Sequence, residues 1–225
     1  MTNGRLKMSE LQAVLFDLDG TLLDTAPDFA TALNRLLVAR NKQPLQLTNV
    51  RQLVSNGSAG IIEFAFKLPR EHTEFEPLRQ ELLTYYLDTL ADQTCLFPGM
   101  NEVLTRLAEN AIPWGIVTNK PELYTLEILK RLPLTPPPET VICPDHVSRT
   151  KPDPEPILLA CSELKAKPEN CIYVGDHLRD IQAGLNAGTT TIAALYGYLS
   201  HEDQPDSWGA HYQVAHASEI NDIIF

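Results

Sequence analysis

The chain has 225 residues, 44% of them hydrophobic and 21% charged, with a formal net charge of −11. That length permits one or two domains around a sizeable core, and the composition is that of a water-soluble globular protein. The negative balance argues against nucleic acid or an anionic membrane as the main partner, and an anionic ligand would need local help from a metal, a lysine or a helix N-terminus.

The first strand is expected over residues 11–17, where the apolar run Ala13-Val14-Leu15-Phe16 stops at Asp17-Leu18-Asp19-Gly20-Thr21. From Thr25 to about Ala91 the pattern turns helical, with Thr25 and Asp28 spaced as a capping box. Phe29, Leu33, Leu36 and Leu37 mark a first helix, and Val50, Leu53 and Val54 a second that Asn56-Gly57 stops. Ile61–Phe66 reads as a third, and Leu78, Leu82, Tyr85, Tyr86 and Leu90 as a fourth. After Leu96-Phe97-Pro98-Gly99, helices over 100–110, 122–131, 155–165 and 178–187 alternate with strands over 112–118, 140–143, 171–175 and 190–195. Such alternation predicts an α/β fold, a doubly wound parallel sheet with Rossmann-like topology and a small all-helical insertion after strand one. The expected division is 1–24 with 96–225 as the core and 25–95 as a cap. Charge supports it, since 25–95 carries a net −1 and the remainder −10. Residues 212–225 suggest one further strand at most and are otherwise left unplaced.

Cys95, Cys143, Cys161 and Cys171 are widely spaced with no CxxC pair, a pattern of reduced thiols. The N-terminal ten residues are polar, and no run approaches the roughly 18 apolar residues of a membrane span. A soluble cytoplasmic protein is expected, a monomer or weak homodimer.

Four strand ends carry the chemistry. Asp17 and Asp19 point the same way in an extended chain and repel unless a cation lies between them. At Val117-Thr118-Asn119-Lys120-Pro121 the Thr118 hydroxyl and the free N–H groups of a helix begun by Pro121 form a ready anion site. At Lys151-Pro152 the proline holds Lys151 extended, positioning an ammonium. At Gly175-Asp176-His177-Leu178-Arg179-Asp180 an apolar strand again ends in acid, with a second acid one helical turn on. Asp176 is suited to a metal, Asp180 to steering Lys151 or the metal's waters, and Mg²⁺ fits because it accepts few carboxylates and keeps oxygen ligands. His177 is expected as an exposed loop residue, and Arg179 as a solvent-facing helix arginine.

This order of motifs resembles the haloacid dehalogenase-like hydrolase superfamily, whose DxDGT, strand-end Ser/Thr, Lys and GDxxxD elements stand here as Asp17–Thr21, Thr118, Lys151 and Gly175-Asp176 with Asp180. The resemblance implies a phosphatase of small phosphate esters in which Asp17 is the nucleophile and Asp19 the general acid and base. It further implies Mg²⁺ on Asp17, the Asp19 carbonyl and Asp176, with Lys151, Thr118 and the Asn119 N–H holding phosphate. Sugar phosphomutases keep the same first motif, so phosphoryl transfer stays open. Asp17–Asp28 and Ser55-Asn56-Gly57-Ser58 resemble the phosphoglycolate phosphatase group. Gly175–Ile181, Tyr196-Gly197-Tyr198 and Asp206–Ala210 are similar to the N-acetylmuramic acid 6-phosphate phosphatases of cell-wall recycling, with His211 departing where an acid is expected. Asn56, Gly57 and Ser58 are the candidate specificity residues of the cap. A receiver-type phosphoacceptor fits poorly, being much shorter and without such an insertion, and no GxxxxGK[ST] of a P-loop NTPase occurs.

Overall fold

A computed structural model describes residues 10–225. Strand β1 (Ala13–Phe16) is wholly buried, as expected where helices cover both faces of a parallel sheet and the strand reads as one apolar run. The segment between β1 and the next long strand leaves through β2 (Leu23–Asp24) and returns through β3 (Cys95–Leu96). These two pair antiparallel, Leu23 opposite Leu96 and Asp24 opposite Cys95. Between them lie α1 (Ala26–Ala39), α2 (Leu47–Val54), α3 (Gly57–Phe66) and α4 (Phe75–Thr89). The remaining elements are α5 (Met100–Glu109), β4 (Trp114–Val117), α6 (Glu122–Arg131), β5 (Thr140–Ile142), α7 (Glu155–Glu163), β6 (Cys171–Gly175), α8 (Leu178–Ala187), β7 (Thr190–Ala194), β8 (Tyr212–Val214) and α9 (Ile220–Ile224). The C-terminal segment left unplaced by pattern thus contributes an edge strand and a short helix.

The six-stranded sheet has the order β5-β4-β1-β6-β7-β8, and every neighbouring pair is parallel. From β1 the chain winds outward through β4 and β5, then crosses back to β6 on the other side of β1. Beside this reversal the carboxyl ends of β1 and β6 open a crevice, the usual ligand position in open α/β sheets. Alternation along each strand divides the core. Val14, Phe16, Ile116 and Val174 face the side covered by α5 and α9, where Met100, Val103 and Ile220 meet them. Ala13, Leu15, Val117 and Tyr173 face the side covered by α7 and α8, against Ile157, Ala160 and Ala183. Each fully buried large apolar side chain stabilises the fold by about 1.5–3 kcal/mol.

In the helical segment α1 packs on α4 and α2, and α3 packs on α2 and α4. The Phe29 ring stacks on Tyr86 with centroids 3.8 Å apart. Its apolar interior is not separate: Leu18, Leu22 and Leu23 join Leu33, Leu36 and Ile61 to Phe16 in one cluster.

The capping box expected from Thr25 and Asp28 does not form. Thr25 donates its hydroxyl to Asp19, and the buried Asp28 carboxylate accepts from Gln93 N, Thr94 N and Thr94 Oγ1. A tertiary partner supplying three donors outcompetes the local pattern. Among the described residues no helix is long and apolar enough to cross a membrane.

Candidate active site

In register, Phe16 lies opposite both Ile116 and Val174, so β1, β4 and β6 end side by side and deliver Asp17, Thr118 and Asp176 to one edge. The Asp17 N–H still donates to Val174 O at 2.9 Å, so the carboxylate begins from the last rung of the ladder. The turn after it requires Gly20, which adopts φ +86°, and a Cβ there would fall 2.2 Å from Asp176 Oδ2. Gly175 is required for a similar reason, since its Cβ would lie 2.3 Å from that of Asp180.

Lys151 is buried beneath these acids rather than solvated. Its Nζ lies 2.8 Å from Asp17 Oδ1, 2.7 Å from Asp180 Oδ1, 2.9 Å from Val117 O and 2.8 Å from the Tyr173 hydroxyl. Burial opposes its charge, but Asp17 and Asp180 outweigh that and hold the ammonium above its usual range. Asp180 also accepts from His177 N at 3.0 Å, and despite burial Lys151 keeps its carboxyl below the ordinary value. Asp176 accepts from Tyr198 N at 2.7 Å and from the Thr21 hydroxyl at 3.3 Å.

Oxygens of Asp17, Asp176 and Asp180 all lie within 4.8 Å of one another, an acidic cluster that could bind a metal. Lys151 alone does not balance it. Burial raises Asp17 to about 6 against the pull of Lys151. Burial, then the charge on Asp17, pushes Asp176 well above the carboxylate range. Two buried acids so displaced are the donor set that a hard divalent cation would relieve. Asp180 accepts through both oxygens, from Lys151 Nζ and His177 N, and Asp176 does so from Tyr198 N and Thr21, whereas the tie of Asp17 to Lys151 runs through Oδ1.

Asp19 stands apart from this cluster. Its Oδ1 accepts from the Thr25 hydroxyl at 2.5 Å and from Lys120 Nζ at 2.9 Å. Lys120 is buried, with Nζ 4.8 Å from the Phe29 ring centre and 4.9 Å from that of Tyr86. Nothing in the local pattern around Lys120 assigns it a role. Its place directly after Thr118-Asn119 was the available signal.

The strand end at Thr118 differs in detail from expectation. Pro121 precedes α6 rather than opening it, and the first helical N–H, of Glu122, donates to Asp145 Oδ2 at 2.8 Å. A carboxylate of the protein therefore takes that N–H. Thr118 Oγ1 accepts from Lys120 N at 3.1 Å and keeps its own proton to donate. Asn119 Nδ2 donates to Lys151 O at 3.0 Å and fastens the two loops together.

Above these groups lies a cavity of about 310 Å³. Asp17, Asp19, Thr118 and Asn119 form one side, and Ser55-Asn56, between α2 and α3, with Gly57-Ser58, which open α3 rather than stopping α2, line it from the helical segment. Arg79, on α4, and Arg179, on α8, also reach it. Arg179 is therefore not the solvent-facing residue expected from its helical position: Nη1 donates to Ser55 O at 2.7 Å, and its Nε is buried. His177 is not an exposed loop residue either. It is half-buried, caps α8 by accepting Arg179 N at 3.2 Å, and stacks on Trp208 with centroids 6.5 Å apart.

A doubly wound sheet with paired acids at β1, a second acid pair at β6, a buried lysine and a helical insertion over the crevice defines a family. Residues 14–194 match the haloacid dehalogenase-like hydrolases, and the chain belongs to that family. It stands among the family's phosphatases. It is 43% identical to the N-acetylmuramic acid 6-phosphate phosphatase of Pseudomonas aeruginosa over 97% of each chain. Over 88% of this chain and 86% of the relative it is 40% identical to a phosphoglycolate phosphatase of Xylella fastidiosa. The crystal structure of a predicted phosphoglycolate phosphatase from Haemophilus somnus superposes with a TM-score of 0.85 at 25% identity, covering 97% of this chain and all of that one.

Proposed function

We propose that the protein is a Mg²⁺-dependent phosphomonoesterase that hydrolyses N-acetylmuramic acid 6-phosphate, with residues 25–95 acting as a cap over the catalytic core. The observation that carries this reading is the Asp17–Lys151–Asp180–Asp176 cluster, which reaches through Asp17 a cavity lined on its other side by Ser55–Ser58.

Asp17 attacks phosphorus in line, and its freed carboxylate becomes an aspartyl-phosphate. Asp19 lends a proton to the departing alkoxide, then withdraws one from the water that cleaves the acyl phosphate. Lys120 and the Thr25 hydroxyl fix the Asp19 carboxylate for both transfers. Lys151 orients Asp17, while the Thr118 hydroxyl and the Asn119 N–H meet phosphate oxygens as their charge grows. Asp17 and Asp176, with the Asp19 carbonyl, would hold Mg²⁺, which neutralises charge on the phosphoryl group and its attacking oxygen.

The cavity size supports an amino-sugar phosphate: about 310 Å³ lies at the lower end of the range for small-molecule sites, roughly 300–1,000 Å³. A two-carbon phosphoglycolate would leave most of it to water. The second reading, a phosphoglycolate phosphatase, is favoured by the relatives of that name at 40% identity.

The test is kcat/KM over a panel of N-acetylmuramic acid 6-phosphate, 2-phosphoglycolate and hexose phosphates, with and without Mg²⁺, using Asp17→Asn as blank. A Mg²⁺-dependent preference of about tenfold, about 1.4 kcal/mol in transition-state binding, assigns the substrate. Turnover by Asp17→Asn at the wild-type rate would refute the nucleophile, and no turnover of any ester would refute the phosphatase reading.

A further inference from the structure

Three cations line the cavity, and two of them are already matched. Arg79 sets Nε and Nη2 on Glu76 at 2.8 and 2.7 Å, and Lys120 meets Asp19 at 2.9 Å. Arg179 differs. Among the described residues no carboxylate pairs with its guanidinium. Its one side-chain hydrogen bond runs from Nη1 to the carbonyl of Ser55, and its Nε is buried without a partner. A guanidinium carries five donors in a planar fork, so this one reaches the cavity without a directly paired carboxylate and with part of its fork unused.

The position is informative. Arg179 projects from α8 of the core and ends on the cap turn at Ser55-Asn56, at the seam between the two. Its charge lowers the carboxyls of Asp17, Asp176 and Asp180, so it lies within electrostatic reach of the reacting end. On the reading above, the phosphoryl site beside Asp17 would be served by Thr118, the Asn119 N–H and the Mg²⁺ that Asp17 and Asp176 would hold. What the cavity lacks is an anion to match the planar fork at the seam, and a carboxylate is the group of that shape.

We infer that Arg179 binds the carboxylate of the substrate at the seam between α8 and the Ser55 turn, and so selects phosphate esters that carry an acid at their far end. The inference rests on the phosphatase reading above. It accounts for both candidate substrates, since the lactyl ether of N-acetylmuramic acid 6-phosphate and phosphoglycolate each supply that acid. It also gives the cap turn a second reason to sit where it does: Nη1 holds the turn by Ser55 while the remaining donors hold the ligand.

The test compares N-acetylmuramic acid 6-phosphate with N-acetylglucosamine 6-phosphate, the same amino-sugar phosphate without the lactyl acid. Wild type should prefer the acid-bearing ester by tenfold or more. Arg179→Gln should lower kcat/KM for that ester by about 30-fold, the usual scale for a charge-assisted contact of about 2 kcal/mol. The loss should fall mainly in KM, and the neutral-tailed ester should lose less than about threefold. Arg179→Lys, which keeps the charge without the fork, should fall between the two. Equal losses on both esters would overturn the inference, because Arg179 would then serve the phosphate or the fold. So would a wild type that turns over both equally, a comparison that needs no variant. In either case an active wild type leaves the phosphatase reading intact, whereas no turnover of any ester removes both.

Discussion

Cutting the tie at Asp28 should destabilise the protein severely. Asp28 is fully buried in the first turn of α1, and it accepts from Gln93 N at 2.9 Å, Thr94 N at 3.1 Å and Thr94 Oγ1 at 2.6 Å. The carboxylate thus clamps the start of the helical segment to the strand by which the chain leaves it. Asp28→Ala strands both Thr94 donors in a buried position, while Gln93, which is exposed, recovers its loss from water. At about 1–3 kcal/mol for each buried donor left unmet, the expected loss is about 3–4 kcal/mol, a large share of a total stability of about 5–15 kcal/mol. Asp28→Asn keeps one acceptor and turns an amide against the other donors, so about 2 kcal/mol is expected. Urea unfolding followed by fluorescence of the buried Trp114 and Trp208 measures both. A loss below about 1 kcal/mol for Asp28→Ala, with unchanged denaturant slope, would refute the clamp.

Asp19→Ala should slow alkyl phosphates by about 10²–10⁴-fold and aryl phosphates far less, because a good leaving group needs no proton; equal losses would refute the acid role. Lys120→Met keeps the contact with Phe29 and Tyr86 but strips the cation from Asp19, so a near-native melting temperature with kcat/KM down about tenfold or more is expected. Unchanged turnover would show that Asp19 needs no such partner. In metal-free protein, burial raises Asp17 from 3.8 to about 6. Its stabilising contribution is therefore complete below about pH 4 and lost as pH rises through about 6. Mg²⁺ must compete with those protons, so its addition should raise the melting temperature more near pH 7.5 than near pH 5. Equal increments at the two values would refute the assignment of the cluster.

The strand ends were legible because these covered strands carry no charged residue until they emerge, so the first acid after Phe16 and after Val174 marks the edge of the sheet. The order of the strands was not, since no local pattern tells β6 to pair with β1. Residues whose role depends on docking were missed or misread. Arg179 occupies a helical position that pattern assigns to solvent, and only the approach of the Ser55 turn makes it face a cavity. Asp28 has the spacing of a capping box, though Glu or Gln is the usual residue there, and nothing nearby announces partners more than sixty residues away. Asn56 was legible as part of a turn between helices, but Gly57 and Ser58 open α3, and their position over the acids comes from the packing of α2 and α3 against α1 and α4.

Because Leu18, Leu22 and Leu23 weld the helical segment to the face of the sheet that holds Phe16, the insertion is not a detachable module. Removing it would strip the apolar cover from the loop that carries Asp19 and expose a surface that water would unmake. Transplanting it would demand a matching face on the recipient. On the proposed reading, a new substrate preference would be sought by single changes along the rim, at residues 55–58 and at the helix end facing them, while the welded interior stays as it is.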